Sequence, residues 1–306
     1  MKLFSQLLLF QLHFLFAMAQ DQNKHVAIAH LELPLTPKGA QVEVVNHFGY
    51  SLLYSEKHES AVWVAYELTA SETLRAYERT NKFLEDPFVS TGTADDFDYK
   101  GSGYDRGHLA PAADMGWSDI AMKESFYYSN MSPQLPGFNR GIWKKLEEQV
   151  RGWAQDYESI YVVTGPVLKN GLPVIGHNEV SVPEYYYKVI LDYTLPDTKA
   201  IGFILPNESS NEPLNQFAVS IDSVEKFTGI NFFPLLPDIQ EKELESQLCL
   251  PCWSWDRKAN TTKTERKKSG ISTQCKGITK AGNRCRNNTK NSSGYCVHHE
   301  NQAGPN

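Results

Sequence analysis

Asp105-Arg106-Gly107-His108 places an acid, a guanidinium and an imidazole within four residues, after Gly101-Ser102-Gly103-Tyr104 and ahead of Leu109-Ala110-Pro111-Ala112-Ala113. Further along come Asn130, Gln134, Asn139, Arg140, Trp143 and Glu147. His108 is the side chain of the signature whose ordinary pKa lies near neutrality, which suits it to take a proton from water as a general base. Arg106 can grip two oxygens of a phosphate in fork geometry. Asn139 offers a neutral carboxamide oxygen, a hard ligand of the kind that Mg²⁺ or Mn²⁺ accepts while keeping several waters. Glu147 follows eight residues later, roughly 12 Å along a regular helix. That is too far for both to hold one ion, so Glu147 is assigned to a metal-bound water. A base, a cation ligand and an anion clamp together are what phosphodiester hydrolysis requires.

Three linked patterns carry a resemblance: Asp105-Arg106-Gly107-His108 with the small Ala113, Asn130-x3-Gln134-x4-Asn139, and Asn139-x3-Trp143-x2-Leu146-Glu147. Over residues 45–236 the chain resembles the DNA/RNA non-specific endonucleases, the sugar-non-specific ββα-metal nucleases. The resemblance implies that Asn139 is the only direct protein ligand of the metal, that DNA and RNA are both substrates, and that products carry a 5′-phosphate. It also implies an upstream arginine, for which Arg79 is the better match and Arg75 the alternative. Asn130 and Gln134 are expected to hydrogen-bond the surrounding loops or the substrate. The competing class is a non-catalytic nucleic-acid or cell-envelope binding protein on the same scaffold.

These side chains need elements to hold them. Trp143, Leu146, Val150 and Trp153 fall on one stripe of a helix expected over 139–157. The run Val62-Trp63-Val64-Ala65-Tyr66-Glu67-Leu68 reads as a core strand, with further strands expected at 125–129, 159–164, 185–193 and 200–205. Residues 20–48 look strand-poor, and Ser220 is a candidate N-cap for a helix ending before Gly229. The class is α+β: a mixed central β-sheet flanked by helices, with a ββα-metal motif.

The whole chain carries a formal charge of −6 over 306 residues, which argues against nucleic-acid affinity spread over the whole surface. The average hides two unlike parts. Residues 1–249 hold 19 basic and 33 acidic side chains, whereas residues 250–306 hold 11 and 3. The basic end could tether nucleic acid or an anionic envelope.

All five cysteines lie beyond residue 248. Cys275, Cys285, Cys296 and His299 could hold a structural Zn²⁺, with His298 as an alternative fourth ligand; disulfides are the competing use of these thiols. The pattern resembles a short Cys3His module appended to varied proteins. Residues 1–19, with Lys2, an apolar run and Ala17-Met18-Ala19, read as a secretory signal, so the chain is expected to be secreted or periplasmic with no membrane span left after cleavage. The expected organisation is signal 1–19, nuclease domain 20–248, polar basic linker 249–274 and Cys/His module 275–306. A homodimer is a candidate assembly.

Overall fold

The computed structural model describes residues 28–35, 42–195 and 197–255, and in the C-terminal part 273–278, 284–285, 288–289, 293–295, 299 and 302. The expected signal and Cys296 lie outside the described residues. The chain divides into two units, Met1–Trp255 and Asp256–Asn306.

The first unit runs β1 (Val42–Asn46), β2 (Ser51–Ser55), β3 (Ser60–Thr69), α1 (Asp96–Tyr99), β4 (Asp105–His108), α2 (Asp119–Glu124), β5 (Met131–Gln134), α3 (Lys144–Asp156), β6 (Ser159–Pro166), β7 (Val174–Ile175), β8 (Val180–Ser181), β9 (Tyr185–Asp192), β10 (Lys199–Pro206), β11 (Ala218–Val219), α4 (Ile221–Thr228) and α5 (Asp238–Ser246). Among the described residues, seven strands form one sheet in the order β1-β2-β3-β6-β9-β10-β11. The class is α+β, as the sequence indicates, but every pairing in this sheet is antiparallel, so it is not mixed in strand direction.

Both sheet faces are covered, which explains the near-continuous apolar runs of its central strands. Along β9, Tyr186 and Ile190 enter the core beneath α3, while Tyr187, Val189 and Leu191 enter the core beneath α4. The α3 stripe is buried as its periodicity predicts, at Trp143, Leu146, Val150 and Trp153. Each such side chain contributes roughly 1.5–3 kcal/mol by leaving water. Helix α4 matches its sequence signals: Ser220 accepts the Ser223 amide, and Gly229 closes the helix in the left-handed region at φ +76°.

Other expectations fail locally. Residues 125–129 form no strand: Ser125 closes α2, Tyr127 makes a lone bridge to Leu84, and Tyr128–Asn130 is a 3-10 turn. The tertiary bonds of Asn130 override the aromatic strand propensity there. Strand β1 lies within the region read as strand-poor, paired throughout with β2. Helix α3 begins at Lys144 rather than Asn139, because Phe138–Trp143 form a wide π-type turn with Gly141 off helical geometry.

Leu250–Trp255, which composition assigns to the linker, packs against α3. Trp253 is buried and meets Trp153 with ring centroids 4.5 Å apart, and the Ser254 carbonyl accepts Trp153 Nε1 and Gln149 Nε2, each at 2.8 Å. Cys249 and Cys252 are disulfide-bonded at the start of this strap. In the second unit, Thr273–Gln274 pairs with Asn288–Thr289, and Cys275 and Cys285 are buried beside Tyr295. Trp253→Ala is expected to cost about 3 kcal/mol, read as a lower denaturant midpoint at an unchanged m-value.

Candidate active site

Strands β4 and β5 form an antiparallel pair, with Asp105 opposite Gln134 and His108 opposite Met131, and the chain then turns into α3. This ββα unit is fixed to the main sheet through β9. Tyr186 Oη donates to the Pro133 carbonyl at 2.9 Å and lies 2.8 Å from Ser132 Oγ. Asn207, after β10, accepts the Leu135 amide and donates to Pro133, which sets the entry to the wide turn. Gly107 is required by close approach: a Cβ there would sit 2.2 Å from Gln134 Cδ.

Asp105 fixes the next group. Its carboxylate accepts Asn139 Nδ2 at 2.9 Å and Arg140 through Nε at 2.8 Å and Nη2 at 2.6 Å. A carboxylate partner dictates that the amide nitrogen of Asn139 faces Asp105, so Oδ1 is turned away from it. That orientation fits the requirement for a neutral oxygen ligand to a hard cation.

His108, Asn139, Arg106, Arg79 and Glu147 all line one cleft of about 490 Å³. Six of the lining side chains are basic (Arg75, Arg79, Arg106, Arg140, Lys144 and Arg151) against the two carboxylates of Glu147 and Glu148. All five arginines of this acidic unit therefore line the cleft.

His108 packs edge-on to Phe126 and Phe83, with centroids 4.9 and 5.9 Å away, and its ring is hydrogen-bonded to the Arg106 backbone. Its Nε2 has no hydrogen-bond partner among the described residues. Burial, followed by the nearby Arg79 guanidinium, pushes its pKa down to about 3. The imidazole is thus neutral at physiological pH and Nε2 is available as an acceptor. Arg79 lies over the Phe126 ring at 4.9 Å and interacts electrostatically with both His108 and Glu147, which distinguishes it from Arg75.

Arg106 is more restrained than its motif suggests. It donates from Nε to Tyr128 Oη and from Nη2 to Asp96, above the rings of Phe83 and Tyr99. Only part of its fork faces the cleft. Asn130 and Gln134 are both fully buried, and neither lines the cleft. Asn130 bonds the Ala110 amide and carbonyl and the Ser125 carbonyl, which holds the loop just after His108. Gln134 packs against Gly107 with neither amide atom hydrogen-bonded among the described residues.

Beneath the cleft lies a charged set that the motif reading misses. Lys188 on β9 is fully buried, with Nζ 4.8 Å from the Trp143 ring centroid. Arg151 Nη1 pairs with Asp114 at 2.7 Å, and Tyr66 Oη donates to the same carboxylate at 2.8 Å. Burial raises Glu147 well above the usual carboxylate range, opposed by Lys188, Arg151 and Arg79; burial lowers Lys188, opposed chiefly by Glu147. The signals were present: Arg151 lies one helical turn past Glu147, and Lys188 is a charge on the alternation that buries Tyr186 and Ile190.

In the second unit, Cys275, Cys285 and His299 bring their ligand atoms within 4.8 Å of one another, and the Gly277 amide donates to Cys275 Sγ at 3.2 Å.

Comparisons with known proteins bear on the family and the fold. The family model described as DNA/RNA non-specific endonuclease matches residues 32–239. Human "Endonuclease G, mitochondrial" is 38% identical over 204 residues, 60% of this chain and 67% of that protein. "Nuclease EXOG, mitochondrial" of Danio rerio is 36% identical over 243 residues, covering 74% and 68%. "Nuclease C1" of Cunninghamella echinulata var. echinulata is 38% identical over 215 residues, covering 65% and 85%. A solved structure of the EndoG/EndoGI complex superposes with a TM-score of 0.61 at 33% identity, over 67% of this chain and 90% of that one. With its β4–β5–α3 unit presenting His108 and Asn139 in one basic cleft, the chain belongs to the DNA/RNA non-specific endonuclease family.

Proposed function

We propose that this chain is a metal-dependent endonuclease that hydrolyses phosphodiester bonds in DNA and RNA with little base preference. The observation that carries this reading is the convergence of an unpartnered His108 Nε2, an Asn139 amide oriented by Asp105, and Arg79 in one basic cleft. The cleft addresses phosphate, which every sequence shares. His108 accepts the proton of the attacking water at Nε2. Arg79, and the part of Arg106 left open by Asp96 and Tyr128, hold the phosphate oxygens. Asn139 is the residue that would hold Mg²⁺ or Mn²⁺, and Glu147 the one that would hydrogen-bond a water on it; the ion would supply positive charge to the phosphate and the departing oxygen. The water oxygen bonds to phosphorus as the P–O3′ bond breaks; the 3′ oxygen takes a proton from solvent and leaves as a hydroxyl, and the other fragment keeps the 5′-phosphate.

We further propose export. Lys2 is the only Lys, Arg, Asp or Glu in residues 1–19, which differs from the Arg-rich pattern of mitochondrial presequences although several relatives are named mitochondrial. The Cys249–Cys252 disulfide supports an oxidising destination. Among the described residues no helix is long and apolar enough to cross a membrane. In the second unit, the Cys275, Cys285 and His299 arrangement supports a structural Zn²⁺, with Cys296 as fourth ligand.

His108→Ala is expected to lower kcat on plasmid and on RNA by about 10²- to 10⁴-fold, with wild-type cleavage abolished by EDTA and restored by Mg²⁺; wild-type rates in the variant would remove His108 as the base. Lys188→Met, close to isosteric and uncharged, is expected to lower kcat at least about tenfold with KM nearly unchanged. An unchanged kcat would reduce Lys188 to packing. Ending the chain after Trp255 is expected to raise KM for DNA at about 0.15 M salt more than it lowers kcat, and equal KM values across a salt series would leave the tail without a substrate role.

A further inference from the structure

Helix α5 packs within the first unit in an unusual way: its one buried side chain is a glutamate, Glu245. Glu245 is 5% exposed and its Oε1 has no hydrogen-bond partner among the described residues. It meets Asp222 and Glu225 of α4, and one carboxylate oxygen from each of the three lies within 4.8 Å of the others. Glu225 also accepts the Phe232 amide at 2.8 Å, which holds its carboxylate in place. The charged groups acting on Glu245 are Glu225, Glu241 and Asp222, all acidic, and burial with this repulsion pushes it up to about 8. Among the described residues, no ion pair involves any of the three carboxylates.

An anionic side chain enclosed without a counter-charge is strongly unfavourable, so the site requires a proton or a cation. We propose that Asp222, Glu225 and Glu245 form a calcium site that clamps α5 to α4. The ligand chemistry selects the ion class: an all-oxygen, carboxylate-rich set suits a hard divalent cation and offers none of the nitrogen or sulfur that transition metals favour. Three carboxylates on two helices suit Ca²⁺, which gathers about six to eight oxygens in loose geometry, better than Mg²⁺, which binds through one or two carboxylates and keeps most of its waters. Asp222 is exposed, which leaves room for waters to complete the shell. The site is separate from the cleft, because α4 packs with Ile221 and Val224 into the core on one side of the sheet, while α3 packs into the other.

The test compares thermal unfolding midpoints of the full chain carrying Asn139→Ala, which weakens cation binding in the cleft, with the same chain also carrying Glu245→Gln, in EDTA and in excess CaCl₂. Calcium is expected to raise the first midpoint by about 5 °C and leave the second unmoved. In EDTA the double variant should be at least as stable as its parent, since a repelling carboxylate is gone. Asp222→Asn, at an exposed position, provides a second variant that should blunt the calcium response. Equal calcium responses with and without Glu245→Gln, or no response in the parent, would overturn the site and leave Glu245 as a buried protonated acid. Plasmid cleavage in Mg²⁺ by Glu245→Gln alone should match wild type, so failure here and failure of the nuclease reading are read on different instruments.

Discussion

Charge balance under the cleft is the constraint on which the rest of the structure depends. Lys188 from β9, Glu147 and Arg151 from α3, Asp114 from the loop after β4, and Tyr66 from β3 meet between the sheet and the helix. Leaving one of these charges uncompensated in the interior costs several kcal/mol, more than a typical apolar contact supplies. The set therefore fixes the seating of α3 relative to β4 as firmly as the apolar stripe does. Because α3 carries Glu147 and continues from the turn bearing Asn139, the same balance determines where those groups stand relative to His108.

Above this floor, the groups expected to do chemistry are held by others that do not line the cleft. Asp105 turns the Asn139 amide, Asn130 secures the backbone after His108, and Tyr128 with Asp96 restrains Arg106. Such a site does little rearranging when charge develops on a phosphate, which is where preorganised enzymes gain most of their advantage. Asn139 stands on the wide turn at Phe138–Trp143, and π-type insertions in helices recur at functional sites.

The sequence makes the α3 stripe, the α4 caps and strands β3, β6, β9 and β10 legible because each follows from local periodicity or capping chemistry. It also shows His108, Arg106, Asn139 and Glu147, whose spacing is tied to one short stretch of chain. It hides what depends on distant contacts. Residues 125–129 have strand-like composition, yet Asn130 engages the backbone from both sides of that segment. The burial of Asn130 and Gln134 was equally hidden, because polar residues beside a motif look like contacts until the packing shows them enclosed. Lys188 could be anticipated as a break in alternation, but its partners come from α3 and the loop after β4.

The gathering of all five arginines of the first unit in a single cleft also bears on what happens after cleavage. Outside that cleft the first unit is strongly acidic, so a polyanion finds little purchase anywhere else on its surface. Once a bond is broken, the first unit holds the two fragments where the cleft grips them and repels them over the surrounding surface. Within the first unit such a charge layout favours departure of the fragments over their retention.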